Sequence, residues 1–185
     1  MKSPILLAVL GLIIVGGLFM GSIYNGLVKS NEGVDAQWAQ VESQYQRRFD
    51  LIPNLVSSVQ GVMKQEQTIF TAIAEARTRY GNAKTSDEKA AAASSLEGSL
   101  SRLLVVMENY PQLRSVEAVQ SLMVELAGTE NRISVERMRY NETVRDYNVK
   151  VKTFPASALA GMFGFHARTM FDAVPGAEVV PKVQL

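Results

Sequence analysis

Cysteine is absent from the 185 residues. Its absence rules out disulfide frameworks, thiol chemistry, cysteine metal sites and an acylated lipoprotein N-terminus, and leaves the redox compartment open. Histidine occurs once, as His166, which starves any catalytic triad or histidine-rich metal site of its commonest ligand and base. An excess of one charge is also missing: the net charge is +1, with Asp and Glu interspersed among Lys and Arg. A nucleic-acid surface needs clustered cations, so nucleic acid is not an expected partner. Strand-like period-2 alternation is lacking beyond Ser30, so a Gly-rich phosphate loop following a strand has no strand to follow.

The longest gap is in charge. Between Lys2 and Lys29 no residue is charged, and Ile5 to Phe19 is nearly all Leu, Ile, Val, Gly and Ala. Roughly 20 helical residues cross the hydrocarbon layer, so residues 5–26 are long enough to span. A cleaved secretory signal has the same basic start and apolar core. The exit, Gly21-Ser22-Ile23-Tyr24-Asn25-Gly26, lacks a small-x-small cleavage site, and Tyr24 suits the interface where a helix leaves the bilayer. An uncleaved single-pass anchor is the expectation. Lys2 and the α-amine on one side, against Lys29 alone among Glu32, Asp35 and Glu42 on the other, favour a cytoplasmic N-terminus and an extracytoplasmic domain.

Beyond Ser30 the helical period of three and four recurs. Val34, Trp38, Val41, Tyr45, Arg48 and Ile52 form one stripe. Pro53 predicts a kink near Phe49 and not a stop. The stripe resumes at Leu55, Val59, Val62, Glu66, Ile69, Ile73 and Ala76, and Gly81-Asn82 suits a left-handed cap. A second helix is signalled by Thr85-Ser86-Asp87-Glu88, with hydroxyls to cap free amides and carboxylates at the positive end of the dipole. Its inward positions are Leu96, Leu100, Leu103, Met107 and Tyr110, and Asn109-Tyr110-Pro111 breaks it. From Gln112 a last helix reads Val116, Val119, Met123, Leu126, Glu130, Ile133, Arg137, Tyr140, Val144, Tyr147, Val151 and Phe154, closed by Pro155. Short connections make successive helices antiparallel. The expected fold is all-α: the transmembrane helix, then an elongated antiparallel bundle or coiled coil of three or four long helices. The domain boundaries are 1–28 for the anchor, 29–155 for the bundle, and 156–185 for an apolar arm and irregular tail.

Four charged residues fall in inward slots: Arg48, Glu66, Glu130 and Arg137. Lone buried charges are too costly to persist, so the two cations and two anions are expected to pair in a structural polar network. A glutamate pair is also the start of a di-metal or acid/base site, but such bundle sites use several Glu and a Glu-x-x-His motif, which this chain lacks. No catalytic, cofactor-binding or metal-binding residue is assigned, and no small-molecule substrate is identified.

The middle helix covers about 24 residues and the last about 42, so about 18 residues outrun their antiparallel partner. Their stripe of Tyr140, Val144, Tyr147, Val151 and Phe154 marks an interaction surface. After Pro155 the run from Ala156 to Phe165 is strongly apolar, broken by Gly, and too short to span. Phe163, Phe165, Met170 and Phe171 are its candidate anchors, on the bundle, on a bilayer or on another protomer.

Together these residues resemble the LemA family. The resemblance covers almost all of residues 20–172 and is carried by Tyr24-Asn25-Gly26-Leu27-Val28, Gln46-Arg47-Arg48-Phe49-Asp50-Leu51-Ile52-Pro53-Asn54-Leu55-Val56 and Tyr110-Pro111-Gln112-Leu113. It continues through Gly128-Thr129-Glu130-Asn131-Arg132-Ile133, Arg139-Tyr140-Asn141, Val144-Arg145-Asp146-Tyr147-Asn148 and Phe154-Pro155. It implies a bacterial protein with an N-terminal anchor and a helical-bundle domain, and supplies no catalytic residues. The expected function is a non-catalytic scaffold of the bacterial inner membrane that self-associates or binds other envelope membrane proteins. The alternatives are an enzyme built on the Glu66, Glu130 and Arg137 cluster, with or without metal, and a lipid-binding or membrane-remodelling module acting through the aromatic arm.

Overall fold

The computed structural model describes residues 4–171, so the tail expected to be irregular, 172–185, lies outside the described residues. Every regular element among them is helical: α1 (Pro4–Gln60), α2 (Gln67–Asn82), α3 (Ser86–Met107), α4 (Glu117–Lys152) and α5 (Ala156–Phe163), with a 3-10 turn at Pro111–Ser115.

Pro53 lies inside α1 without ending it. The first helix nevertheless stops earlier than its hydrophobic period suggests, at Gln60 and not at Gly81-Asn82. Val62 and Met63 both donate to the Val59 carbonyl, at 3.1 and 3.0 Å, and Glu66 donates to Met63 at 3.1 Å, so the chain turns between Gly61 and Glu66 before α2 begins. The turn shifts the register by one: Val62 is exposed and Met63 is wholly buried. The end of α2 also departs from expectation. Ala83 caps it in extended conformation at φ −66°, so no left-handed residue is used there.

The start of α3 is fixed by reciprocal capping. The Thr85 hydroxyl accepts from the Glu88 amide at 3.2 Å, while the Glu88 carboxylate accepts from the amides of Lys84 at 2.8 Å and Thr85 at 3.2 Å. These satisfy amides that a helix start leaves orphaned. The donated backbone hydrogen bonds, Lys84 first, hold the Glu88 carboxyl below its ordinary range. Pro111 cannot continue α3, and the chain passes through the 3-10 turn before α4 starts at Glu117, later than the expected Gln112.

The contacts divide the chain into two units. One comprises Trp38–Glu136. Its core is built from Val41, Tyr45, Ile52, Leu55 and Val59 of α1, Ile73 and Ala76 of α2, Leu96, Leu100 and Leu103 of α3, and Leu126 and Ile133 of α4. Tyr80, near the end of α2, packs on Tyr45 and Phe49 of α1 with ring centroids 6.0 and 4.2 Å apart, so α2 runs back along α1. α2 also packs against α3.

Among described residues the other unit holds 4–37 with 137–171. Leu27, Leu159 and Ala160 form its buried centre, with Ile23, Val151, Ala156 and Phe165 packed around them. Val34, Tyr140, Val144 and Tyr147 are buried in the same unit.

Candidate functional site

The apolar start of α1 is long enough to cross a membrane, and its most apolar stretch has none of its surface buried within the protein. Leu6 through Met20 present their large side chains outward. Just beyond, the Tyr24 ring meets Phe163 and Phe165 edge-on, at centroid distances of 4.9 and 5.9 Å. This contact ties the end of the apolar stretch to α5 and to Phe165 just past its cap.

α5 is closed by Gly164 at φ +76°, a left-handed position that costs a glycine little and any other residue more. The chain then returns along α4 as an irregular segment, and two asparagines clamp it. Asn148 Nδ2 donates to the Arg168 carbonyl and its Oδ1 accepts from the Arg168 amide, both at 2.8 Å. Asn141 does the same for Phe171, at 2.9 and 2.8 Å. Each carboxamide stands in for a peptide unit, giving the returning backbone the partners that an isolated segment lacks. The Tyr140 hydroxyl donates to the Thr169 carbonyl at 3.4 Å, and its ring lies 5.3 Å from that of Phe171. Arg168 forms an ion pair with Asp35 of α1, and Lys150 donates to the Ser30 hydroxyl. Burial pushes the Tyr147 hydroxyl above its ordinary range; Arg168 opposes the shift and Asp35 adds to it.

This arrangement corrects the expectation of an uncovered stripe. Tyr140, Val144 and Tyr147 are buried within the chain, because α1 lies along α4 and the returning segment closes over it. Val151 is half-buried in the Leu27 cluster. Phe154 is the residue of that stripe left open, at 87% exposure; Phe163 is partly open and Phe165 half-buried. The expectation failed because periodicity identifies a buried face and does not identify what buries it. The asparagine clamp went unrecognised, though its signal is legible: Tyr140-Asn141 recurs as Tyr147-Asn148 seven residues on, which puts both asparagines on one helix face.

The four seam charges do not form one network. Arg48 is buried and pairs with Glu130 and, at 3.4 Å, with Glu97 of α3. Glu97 was not among the expected partners, since it sits one position past the inward Leu96. Glu66 is drawn into the turn after α1, where it accepts from the Tyr110 hydroxyl at 3.4 Å. Arg137 stands 5.3 Å over the Phe171 ring, turned toward the returning segment. Among the described residues no three His, Asp or Glu converge closely enough to hold a metal ion.

Comparison with known proteins adds relatives. Magnetosome proteins MamQ 1 and MamQ 2 of Paramagnetospirillum magneticum are each 27% identical over 181 residues, covering 84% of this chain and 66% of the relative. Magnetosome protein MamQ of Magnetospirillum gryphiswaldense is 25% identical over the same coverage. The chain therefore matches just under two-thirds of the length of these relatives. The sequence model of the LemA family matches residues 37–185, which takes in α1 from Gln37 onward and all of α2 to α5, and the chain belongs to that family.

Proposed function

We propose that this protein is a non-catalytic, membrane-anchored scaffold of the bacterial inner membrane, single-pass, with its helices packed as an antiparallel bundle outside the cytoplasm. The observation that carries the reading is the continuity of α1: one helix from Pro4 to Gln60 leads out of an exposed apolar stretch and into packed helices. Such a connection transmits position, not chemistry. Among the described residues, the polar contacts named above cap helix ends, clamp the returning segment and pair the buried Arg48.

Self-association through α4 is part of the proposal, on a different face from the stripe now covered. Val124, Val135, Met138 and Val149 are exposed. At 100° per residue they fall within about 60° of one another around the helix. Tethering in one plane raises the effective concentration of such faces and lets modest contacts assemble.

Three measurements test the reading. The protein should stay in the membrane pellet after alkaline carbonate extraction; release would remove the anchor. Protease added to spheroplasts should degrade the domain, and an intact domain would reverse the orientation. Cross-linking in membranes should give a defined multimer that Met138→Glu abolishes without lowering Tm. A strictly monomeric full-length protein would leave the face to a different envelope partner.

A further inference from the structure

We propose that α5 and the corner preceding it form a second membrane contact, a short helix lying in the headgroup layer of the leaflet from which α1 emerges. The inference rests on the reading of α1 as the span and adds a surface that reading does not require. Its basis is the level at which α5 is fixed along α1. α4 runs toward the apolar end of α1: Lys150 reaches Ser30, and one residue later Val151 joins the Leu27 cluster. The chain then turns at Phe154, whose side chain has no cover. Leu159 and Ala160 of α5 pack on Leu27 and Ile23, and Phe163 meets Tyr24.

α5 is thus held beside residues 23–27 of α1, a stretch of about 6 Å at helical rise. That is one turn beyond Met20 and takes in Tyr24, the last exposed large side chain of the stretch. About 20 residues cover the hydrocarbon, so a span starting near Ile5 ends near Tyr24. The level of α5 is the level of the bilayer edge.

The surface that α5 presents there is wrong for water. Its sequence, ASALAGMF, carries no charge. Phe154, Met162 and Phe163 are 87, 75 and 54% exposed. Lys152, two residues before Phe154, and Lys29, two residues past Leu27 on α1, are exposed at this level, where lipid phosphates would lie. An apolar helical face with cations at its margin sinks about 5 to 10 Å into the headgroup and acyl boundary. A bilayer is favoured over a second copy because the chain's own apolar helix emerges beside this face.

The absence of cysteine makes the test direct. Single variants Phe154→Cys, Met162→Cys, Leu12→Cys and Val105→Cys of the full chain are labelled with a nitroxide. Each is reconstituted into vesicles of phosphatidylcholine and phosphatidylglycerol and measured by spin-label accessibility to oxygen and to a water-soluble nickel chelate. Position 12 reports the span and position 105, exposed on α3, reports water. Labels at 154 and 162 should be more accessible to oxygen than to nickel, at a depth between those two references. If 154 and 162 match position 105 while 12 reads as hydrocarbon, the second contact is wrong and the anchor stands. If position 12 itself reads as water, the anchor fails. Shielding of 154 and 162 from both reagents, with spin–spin broadening that unlabelled protein relieves, would replace the bilayer with a second copy.

Discussion

Arg48 and its two carboxylates are unequal partners, and the inequality predicts an asymmetric response to mutation. The Arg48 side chain is 6% exposed, that of Glu97 22% and that of Glu130 49%. Neutralising the carboxylates strands a buried cation, whereas removing the cation leaves two carboxylates that water reaches. Stranding one member of a fully buried pair costs about 3 to 5 kcal/mol. The openness of Glu130 and the acceptor oxygens that glutamine retains reduce this to about 2 to 3 kcal/mol for Glu97→Gln combined with Glu130→Gln. At roughly 2 to 4 °C per kcal/mol for a chain of this size, Tm falls by about 4 to 12 °C. Arg48→Met keeps the apolar stem and removes the charge. Replacing a buried ion by an apolar group of similar length is often near neutral, so this variant stays within about 1 kcal/mol of wild type, as does the triple variant that combines it with Glu97→Gln and Glu130→Gln. Thermal unfolding of the detergent-solubilised full chain, followed by circular dichroism, measures all four proteins. If the double glutamine variant melts with wild type, water reaches the guanidinium and the burial argument fails. If Arg48→Met is the most damaging change, the ion pair is stabilising on net and the predicted order is reversed.

Asn141→Ala and Asn148→Ala each remove two hydrogen bonds from half-buried backbone, costing about 1 to 3 kcal/mol. Amide exchange at 165–171 should quicken in both while protection at Leu96 and Leu100 is unchanged; uniform loosening would deny the clamp its local role. Thr85→Ala removes one half of the capping box and should destabilise by about 1 kcal/mol in the same melting assay, with no change meaning that Glu88 alone suffices. Burial raises the hydroxyls of Tyr80 and Tyr147 above the ordinary 10.0, and neighbouring Glu42 and Tyr45 add to the shift at Tyr80. The unfolded chain therefore gives up these protons first, so stability present below pH 10 is lost as the pH rises past it. Because the buried Tyr80 hydroxyl has no hydrogen-bond partner among the described residues, Tyr80→Phe should hold or raise Tm at pH 7 and flatten the alkaline loss; an unchanged alkaline slope would reassign it to other groups.

How much of this was legible in the sequence depends on what each element leans on. Helices were legible because stripes such as Val34, Val41, Tyr45 and Ile52 are buried as their spacing demands, and the start of α3 because Thr85 and Glu88 carry their own capping instructions. The turn at 61–66 was not. Gly61 is its only breaker, and Lys64, Gln65, Glu66 and Gln67 are all sound helix formers, so the period runs on through a place where the chain does not. That one turn, unread, left Glu66 in a seam it does not enter.

The same blindness explains the stripe on α4, and it bears on what the protein does. A helical period reveals that Tyr140, Val144 and Tyr147 need cover, but the cover is partly an irregular segment, 165–171, that has no period to read. Its attachment is written instead in two asparagines seven residues apart, whose carboxamides substitute for a strand's neighbours. Such a clamp holds the segment by specific hydrogen bonds more than by bulk apolar burial, and it fixes where the segment starts. The point so fixed is Gly164; directly before it is α5, with Met162 and Phe163 turned outward, and before α5 the corner with exposed Phe154. The polar groups of α4 therefore hold the segment that covers Tyr140, Val144 and Tyr147, and that same segment leads back to the exposed aromatic corner beside α1. Together with the Arg168 to Asp35 ion pair, these contacts set the height of that corner along α1. On α1 it coincides with the place where the apolar stretch ends.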